Sequence, residues 1–118
     1  MRLFAKNTSI LSGEVDCPGD KSISQRAIII GALANQNISI TGFLNGEDPL
    51  STLSALNQIG ADISINNNEV TINERELTFS NPSNSIDLGN SGTGMRLIMG
   101  LIAGTGLKAT IIGDESLM

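Results

Sequence analysis

The chain has 118 residues, of which 40% are hydrophobic and 16% are charged, and its formal net charge is −5. This length suits one domain or part of one, and the apolar content is sufficient to build a core. The acidic balance argues against nucleic acid or an anionic membrane as the main partner, because both favour basic surfaces.

Two residue types that carry much of protein chemistry are scarce. The chain has no histidine, which removes the commonest general base and metal ligand. Cys17 is the single cysteine, so neither an intrachain disulfide nor a cysteine metal cluster can form. No signal peptide is recognisable, and no apolar stretch is long enough to span a bilayer. We therefore expect a cytoplasmic protein that binds neither membrane nor nucleic acid.

The first part of the chain is predicted to be a strand followed by a helix. Val15 and Cys17 fall on one face of the stretch 10–17 and two acidic residues fall on the other, which is typical of a strand. A wide apolar surface then predicts a helix from Lys21 to about Ala34.

The start of this helix carries the features of an anion site. A Pro-Gly turn precedes it, Asp20 or Ser22 suits the N-cap, and Ser22 with Gln25 matches the capping-box spacing. Unpaired N–H groups and the helix dipole favour an anion, and Lys21 and Arg26 add two cations. Ser22 and Arg26 are four residues apart and share a side of the helix. The segment suits a phosphate or carboxylate, although an ordinary capped helix with two solvated cations has the same pattern.

The middle of the chain is predicted to form a strand, a helix and a hairpin. Residues 38–41 alternate as a strand. Asp48 as N-cap with Pro49 at the first helical position favours a second helix start, and leucines at helical spacing run to a stop at Gly60. Two alternating runs around three asparagines indicate a hairpin, with strands predicted at 62–65 and 69–72.

A glycine-rich stretch at 89–96 separates a short strand from an apolar helix. The strand is predicted at 86–88, the helix at 97–103 and a final strand at 109–112. Gly92 lets a ligand approach the backbone closely, and Asn90 and Thr93 supply hydrogen-bond groups at a helix start. The glycine spacing fits neither a P-loop nor a dinucleotide fingerprint. Alone the stretch is equally compatible with a helix start that binds nothing, but two such starts in a short acidic chain strengthen the case.

Two parts of the chain are similar at a separation of 71 residues. Ser22 corresponds to Thr93, an apolar helix falls on an apolar helix, and the run 38–42 falls on 109–113. The period indicates a repeated helix–strand–helix–strand–strand unit, of which one copy and about half of the next are present. Chance similarity between two amphipathic segments is the alternative.

Three stretches resemble, in order, motifs of the EPSP synthase (3-phosphoshikimate 1-carboxyvinyltransferase) family. They are residues 18–27 (PGDKSISQRA), 88–97 (LGNSGTGMRL) and 113–117 (GDESL). Leu97 stands where many members carry proline, so the chain looks more like a bacterial subgroup described as less sensitive to glyphosate. The resemblance implies an α/β (α+β) fold of repeated β-α-β-α-β-β units in an inside-out α/β barrel. It also implies that residues 1–20 belong with the second domain of the full enzyme, and that 21–118 form part of the first.

The family reaction is implied for the full enzyme, which is expected to be a monomer. Family members transfer the enolpyruvyl group of phosphoenolpyruvate to the 5-hydroxyl of shikimate 3-phosphate and release phosphate. They serve the shikimate pathway of aromatic amino-acid and chorismate biosynthesis, and they need no metal or organic cofactor.

The resemblance also implies roles for individual residues. Lys21 would contact both ligands, while Ser22 and Arg26 would hold shikimate 3-phosphate. Gly92 would line the phosphoenolpyruvate and glyphosate pocket, and Asn90 would lie beside the reacting centre. The further catalytic or near-site candidates are Asp48 and Thr93. We expect the turns around Lys21 and Gly92 to lie side by side.

Length is where the chain departs from the family, whose members are several times longer. We therefore expect an N-terminal fragment that is inactive alone because half of the cleft is missing. Exposed sheet edges and apolar helix faces are expected to make it self-associate.

Two other functions remain compatible with the residues. UDP-N-acetylglucosamine enolpyruvyl transferase is similar in fold and chemistry, but its signature favours asparagine where this chain has Ser22. The second alternative is a non-catalytic anion-binding or assembly module.

Overall fold

The computed structural model describes residues 1–117, and in this part of the chain three helices and five short strands alternate. They are α1 (Lys21–Ala34), β1 (Ile38–Ile40), α2 (Glu47–Gln58), β2 (Asp62–Asn66), β3 (Glu69–Asn73), β4 (Ile86–Asp87), α3 (Gly92–Thr105) and β5 (Ile111–Ile112). The order α-β-α-β-β followed by β-α-β confirms the mixed α/β class and the predicted sequence of elements within the repeated unit.

The strands form two small sheets. One is antiparallel with the order β1-β3-β2, in which Val70 pairs with Ile40 on one side and with Ile65 on the other. The predicted hairpin is confirmed: Asn66 faces Glu69 across a two-residue turn, and Asn67 adopts the left-handed conformation with φ +53°. The other sheet pairs β4 with β5 in parallel.

Apolar side chains from the helices and both sheets form one core. Helix α1 packs on α2, and α2 packs on both α3 and β4. The largest fully buried apolar side chains are Phe43, Ile28, Leu56, Ile59, Ile72, Ile86, Leu88 and Ile98. Each stabilises the fold by about 1.5–3 kcal/mol relative to an exposed side chain, so this core fixes where the helix ends lie.

The internal repeat is visible in the two helices α1 and α3. Both have 14 residues, and their first and last residues are each displaced by 71 positions. The side chains of Asp20 and Ser91 cap them in the same way, each accepting a hydrogen bond from the backbone N–H three residues on. Both helices end at a left-handed residue, Asn35 and Gly106. Shared caps and lengths confirm that a supersecondary unit recurs.

The predicted strand at 10–17 is wrong. These residues are exposed, Val15 with 88% of its surface, and they carry no strand. A strand needs a partner for its backbone groups, and nothing within residues 1–117 pairs with this segment. The alternation of apolar and polar residues predicted a strand, but it could not show whether another strand pairs with it.

Several element boundaries also differ from prediction. Helix α3 begins at Gly92 rather than at 97, because Ser91 caps it and packing offsets the low helix propensity of its glycines. Helix α2 is capped by Gly46, so Asp48 and Pro49 are its second and third residues. Proline is tolerated there because first-turn N–H groups have no partner within the helix. Strand β1 ends at Ile40 rather than 41, and β5 begins at Ile111 rather than 109.

None of the helices in residues 1–117 combines the length and apolar character needed to cross a membrane.

Candidate active site

The start of α1 presents two cations beside unpaired helix N–H groups. Asp20 is the N-cap, and its Oδ1 accepts a hydrogen bond of 2.7 Å from the Ile23 amide. The capping box predicted for Ser22 and Gln25 is therefore wrong, since Asp20 occupies the cap and Gln25 turns into the core. Ser22 lies partly buried in the first turn and Arg26 is exposed one turn later.

Arg26 lies open to an external partner. Within residues 1–117 its side chain makes neither a hydrogen bond nor an ion pair, and it is exposed. A guanidinium has five donors in a planar fork that matches phosphate and carboxylate oxygens. This cation can therefore bind an anion without first breaking an internal contact.

The start of α2 contributes a carboxylate to the same region. Asp48 Oδ2 lies 2.8 Å from Lys21 Nζ, and the two side chains are 17% and 53% exposed. The carbonyl of Asp48 accepts hydrogen bonds from the hydroxyls of Ser51 and Thr52, at 2.9 and 3.0 Å. The ion pair links the first turn of α2 to the first turn of α1, whereas the two hydroxyl contacts lie within α2.

The start of α3 is formed by the glycine-rich stretch. Ser91 is the N-cap and is 1% exposed, and its Oγ accepts a hydrogen bond of 3.1 Å from the Gly94 amide. Gly92 and Thr93 lie partly buried in the first turn, and Asn90 is exposed just before it. The Gly92 amide donates to the Asn90 carbonyl at 3.0 Å and the Met95 amide to the Ser91 carbonyl at 2.9 Å, so among the first-turn amides only that of Thr93 has no partner within residues 1–117.

Gln25 joins the three helix starts. Its Nε2 lies 2.9 Å from Ser91 Oγ, 3.0 Å from Thr52 Oγ1 and 3.3 Å from the Asp48 carbonyl oxygen. Gly94 lies at this junction of the three helix starts, where there is no room for a side chain. A Cβ there would lie 2.7 Å from Ser91 Oγ and 2.8 Å from Thr52 Oγ1. The prediction that the turns around Lys21 and Gly92 lie side by side is therefore confirmed.

A cleft of about 240 Å³ opens between the start of α2 and the loop before α3. Asp48 and Asn90 both line it, together with Asp114 from the last predicted motif. Gly89 turns the chain here with φ +55°, and its carbonyl accepts the Asp114 amide at 2.8 Å. Residues of the second and third motif stretches therefore line this cleft. The first stretch reaches its edge through the ion pair between Lys21 and Asp48.

Sequence reasoning missed Gln25 and Thr52 as parts of this site. A signal for Gln25 was present, because it shares the helical face of Ile28, Ile29 and Ala32, all of which are buried. A polar residue in that apolar series indicates a buried hydrogen-bond network. Its partners, 27 and 66 positions away, could not be inferred from local pattern.

The fold and this site define an α/β protein in which the N-terminal turns of three helices meet, with Lys21 and Arg26 on the first of these helices. The sequence matches the protein-family model described as EPSP synthase (3-phosphoshikimate 1-carboxyvinyltransferase) over residues 5–118. The chain belongs to this family.

Relatives and a solved structure agree with the match. The chain is 47% identical over 117 residues to the 3-phosphoshikimate 1-carboxyvinyltransferase of Ruthia magnifica subsp. Calyptogena magnifica, covering 98% of this chain and 27% of the relative. It is 40% identical over 118 residues to that of Shouchella clausii, covering 99% and 27%. EPSP synthase from Acinetobacter baumannii superimposes with a TM-score of 0.81 at 41% identity, over 89% of this chain and 24% of that one. The chain thus spans about a quarter of the length of the curated relatives it matches.

Proposed function

We propose that these residues form part of the active site of a 3-phosphoshikimate 1-carboxyvinyltransferase. The enzyme would transfer the enolpyruvyl group of phosphoenolpyruvate to the 5-hydroxyl of shikimate 3-phosphate. The observation that carries the proposal is the hydrogen bond from Gln25 to Ser91, which joins the starts of α1 and α3. Both substrates are polyanions, and two adjacent helix starts with nearby cations suit them.

The cations of α1 would bind shikimate 3-phosphate. Arg26 and Ser22 share a side of the helix and would hold its phosphate through charge-assisted hydrogen bonds. Lys21 would contact both ligands, as its place in the family motif implies; its ammonium lies where the starts of α1 and α2 meet.

The start of α3 would receive phosphoenolpyruvate. Gly92 has no side chain, so it would line the pocket and let the ligand approach the backbone closely, and Thr93 would lie close by. Asn90 is exposed in the loop before it and would lie beside the reacting centre. Asp48, which lines the same cleft, is the remaining near-site candidate.

These residues would act by orientation and charge stabilisation. In the reaction, a proton is added to the terminal carbon of phosphoenolpyruvate and the 5-hydroxyl bonds to its central carbon, losing its own proton. The resulting tetrahedral intermediate then loses phosphate and a methyl proton to restore the double bond. Lys21 and Arg26 would lower the energy of the anionic groups and fix the hydroxyl near the enol carbon. The acids and bases that move these protons would come from the rest of the longer protein.

We further propose that residues 1–20 belong with the second domain of the full enzyme, and that the enzyme works as a monomer in the cytoplasm. The exposed state of residues 10–17 agrees with a partner outside residues 1–117. The free thiol of Cys17 agrees with a reducing compartment.

Calorimetric titration of the chain with shikimate 3-phosphate tests the proposal. Binding should be detectable and should be lost in Arg26→Ala. Lys108→Ala removes the same charge from another exposed residue and should leave binding unchanged. Absence of binding by the unmodified chain, or equal loss in both variants, would contradict the proposed site.

A further inference from the structure

Gln25 has an unusual environment for an amide side chain. It is 0% exposed, and its single amide nitrogen faces oxygens from two other segments of the chain. Only four polar residues are buried in residues 1–117, and Gln25, Thr52 and Ser91 are three of them. The polar groups of the interior are therefore concentrated at this one junction.

Stability alone does not account for an amide at this position. The Oε1 atom of Gln25 is buried and has no hydrogen-bond partner within residues 1–117, which is unfavourable. Each partner of Nε2 has another contact: Thr52 Oγ1 donates to the Asp48 carbonyl, which also accepts from Ser51, and Ser91 Oγ accepts from Gly94. An apolar side chain of similar size would leave none of these atoms without a partner and would remove the unpaired Oε1.

The atoms that Gln25 contacts lie next to the residues proposed to bind ligand. Gln25 itself is one turn after Lys21 and immediately before Arg26. Ser91 immediately precedes Gly92, and the Asp48 carbonyl belongs to the residue whose carboxylate pairs with Lys21. A change in the length of these contacts would alter the separation between the two halves of the anion site.

We infer that Gln25 is a positioning residue: its amide sets the distance between the cations of α1 and the first turn of α3. It does not touch the substrates. The inference rests on the proposed function, because the residues that Gln25 positions are those of the proposed active site. Buried polar contacts of this kind specify one arrangement of packed helices.

Gln25→Met is the variant that separates positioning from stability. Its urea unfolding midpoint should equal or exceed that of the unmodified chain, while the Kd for phosphoenolpyruvate, measured with shikimate 3-phosphate at saturation, rises at least about tenfold. In amide NMR spectra, the shifts that shikimate 3-phosphate induces at Lys21 and Ser22 should persist, while the shifts that phosphoenolpyruvate induces at Gly92 and Thr93 disappear. The matched control is Gln58→Met, the same change at an exposed position of α2, which should alter neither measurement.

Unchanged affinity in Gln25→Met would overturn the inference while leaving the proposed function intact. Absence of binding by the unmodified chain would overturn both. If Gln25→Met does not fold, Thr52→Val carries the test, because it removes one contact of Nε2 without changing side-chain size. That variant should fold and bind several-fold more weakly, and unchanged affinity would refute the positioning role.

Discussion

Lys21 Nζ and Asp48 Oδ2 form an ion pair 2.8 Å long, at the point where the start of α1 meets the start of α2. An anion that binds Lys21 must share it with this carboxylate. The ammonium side of the pair is largely solvated, with 53% of the Lys21 side chain exposed. Such a pair contributes about 1 kcal/mol at most. It therefore lowers the affinity of the site for anions modestly and does not prevent them from binding.

Removing the charge of Asp48 should therefore strengthen anion binding. We expect Asp48→Asn to lower the Kd for shikimate 3-phosphate about two- to fivefold, corresponding to the energy of a solvated pair. Titration calorimetry measures the change. Glu69→Gln is the matched control, because this side chain is exposed, lies away from the cleft and makes no side-chain hydrogen bond within residues 1–117. Equal effects in the two variants would mean that overall charge, not the pair, is responsible.

Gly94 should not tolerate a side chain. The Cβ of Gly94→Ala would lie 2.7 Å from Ser91 Oγ and 2.8 Å from Thr52 Oγ1, so the junction of the helix starts must shift. We expect the free energy of unfolding to fall by about 1–3 kcal/mol in urea titration.

Gly100 provides the control on the same helix. A Cβ there meets nothing within 4 Å, and Gly100→Ala should raise the free energy of unfolding by about 0.5–1 kcal/mol through helix propensity. Effects of the same sign at both positions would show that the packing around Gly94 is looser than these distances indicate.

Arg75 should stabilise the far end of α1. Its Nη1 donates to the Ala32 carbonyl at 2.6 Å, and its guanidinium lies 3.8 Å from the ring centre of Phe79. Arg75→Met keeps most of the packing but loses both interactions, so we expect the unfolding free energy to fall by about 1–2 kcal/mol. Arg96→Met, at an exposed position without hydrogen bonds within residues 1–117, should change it far less. A comparable loss in both would assign the effect to general charge.

Exposed apolar residues on α1 should cause self-association. Ile23, Ile30 and Leu33 are 60%, 64% and 50% exposed, and Ile23 and Ile30 are two turns apart on one face. Sedimentation velocity at increasing concentration should show species larger than a monomer, and Ile30→Lys should reduce them. Leu77→Lys, in an exposed loop, should have no effect. A sedimentation coefficient independent of concentration would refute the prediction.

The 118-residue polypeptide should not turn over phosphoenolpyruvate and shikimate 3-phosphate. It spans 27% of the length of the relative from Ruthia magnifica, and the groups that would enclose the ligands and move protons are proposed to lie elsewhere. A coupled phosphate-release assay should give no signal above the uncatalysed rate, with a full-length relative as the positive control. Sustained release by the polypeptide alone would show that residues 1–118 suffice.

The pattern of neighbouring residues predicted the helices, the hairpin and the repeat. Caps, left-handed stops and apolar spacing are properties of neighbouring residues, which is why α1 matched its predicted bounds and Gly60 follows the end of α2. The errors have non-local causes. The stretch 10–17 lacks a pairing partner, and α3 begins earlier than predicted because packing outweighs the poor helix propensity of its glycines.

By itself, the sequence determined that this protein has two similar helix starts, with Lys21 and Arg26 at the first of them. Only the tertiary structure decided that those starts touch, that Gln25 joins them through Ser91, and that Asp48 pairs with Lys21. The physical reason is that helix caps and cation positions depend on residues within one turn. Contacts between residues 27 or 66 positions apart depend on how the whole core packs.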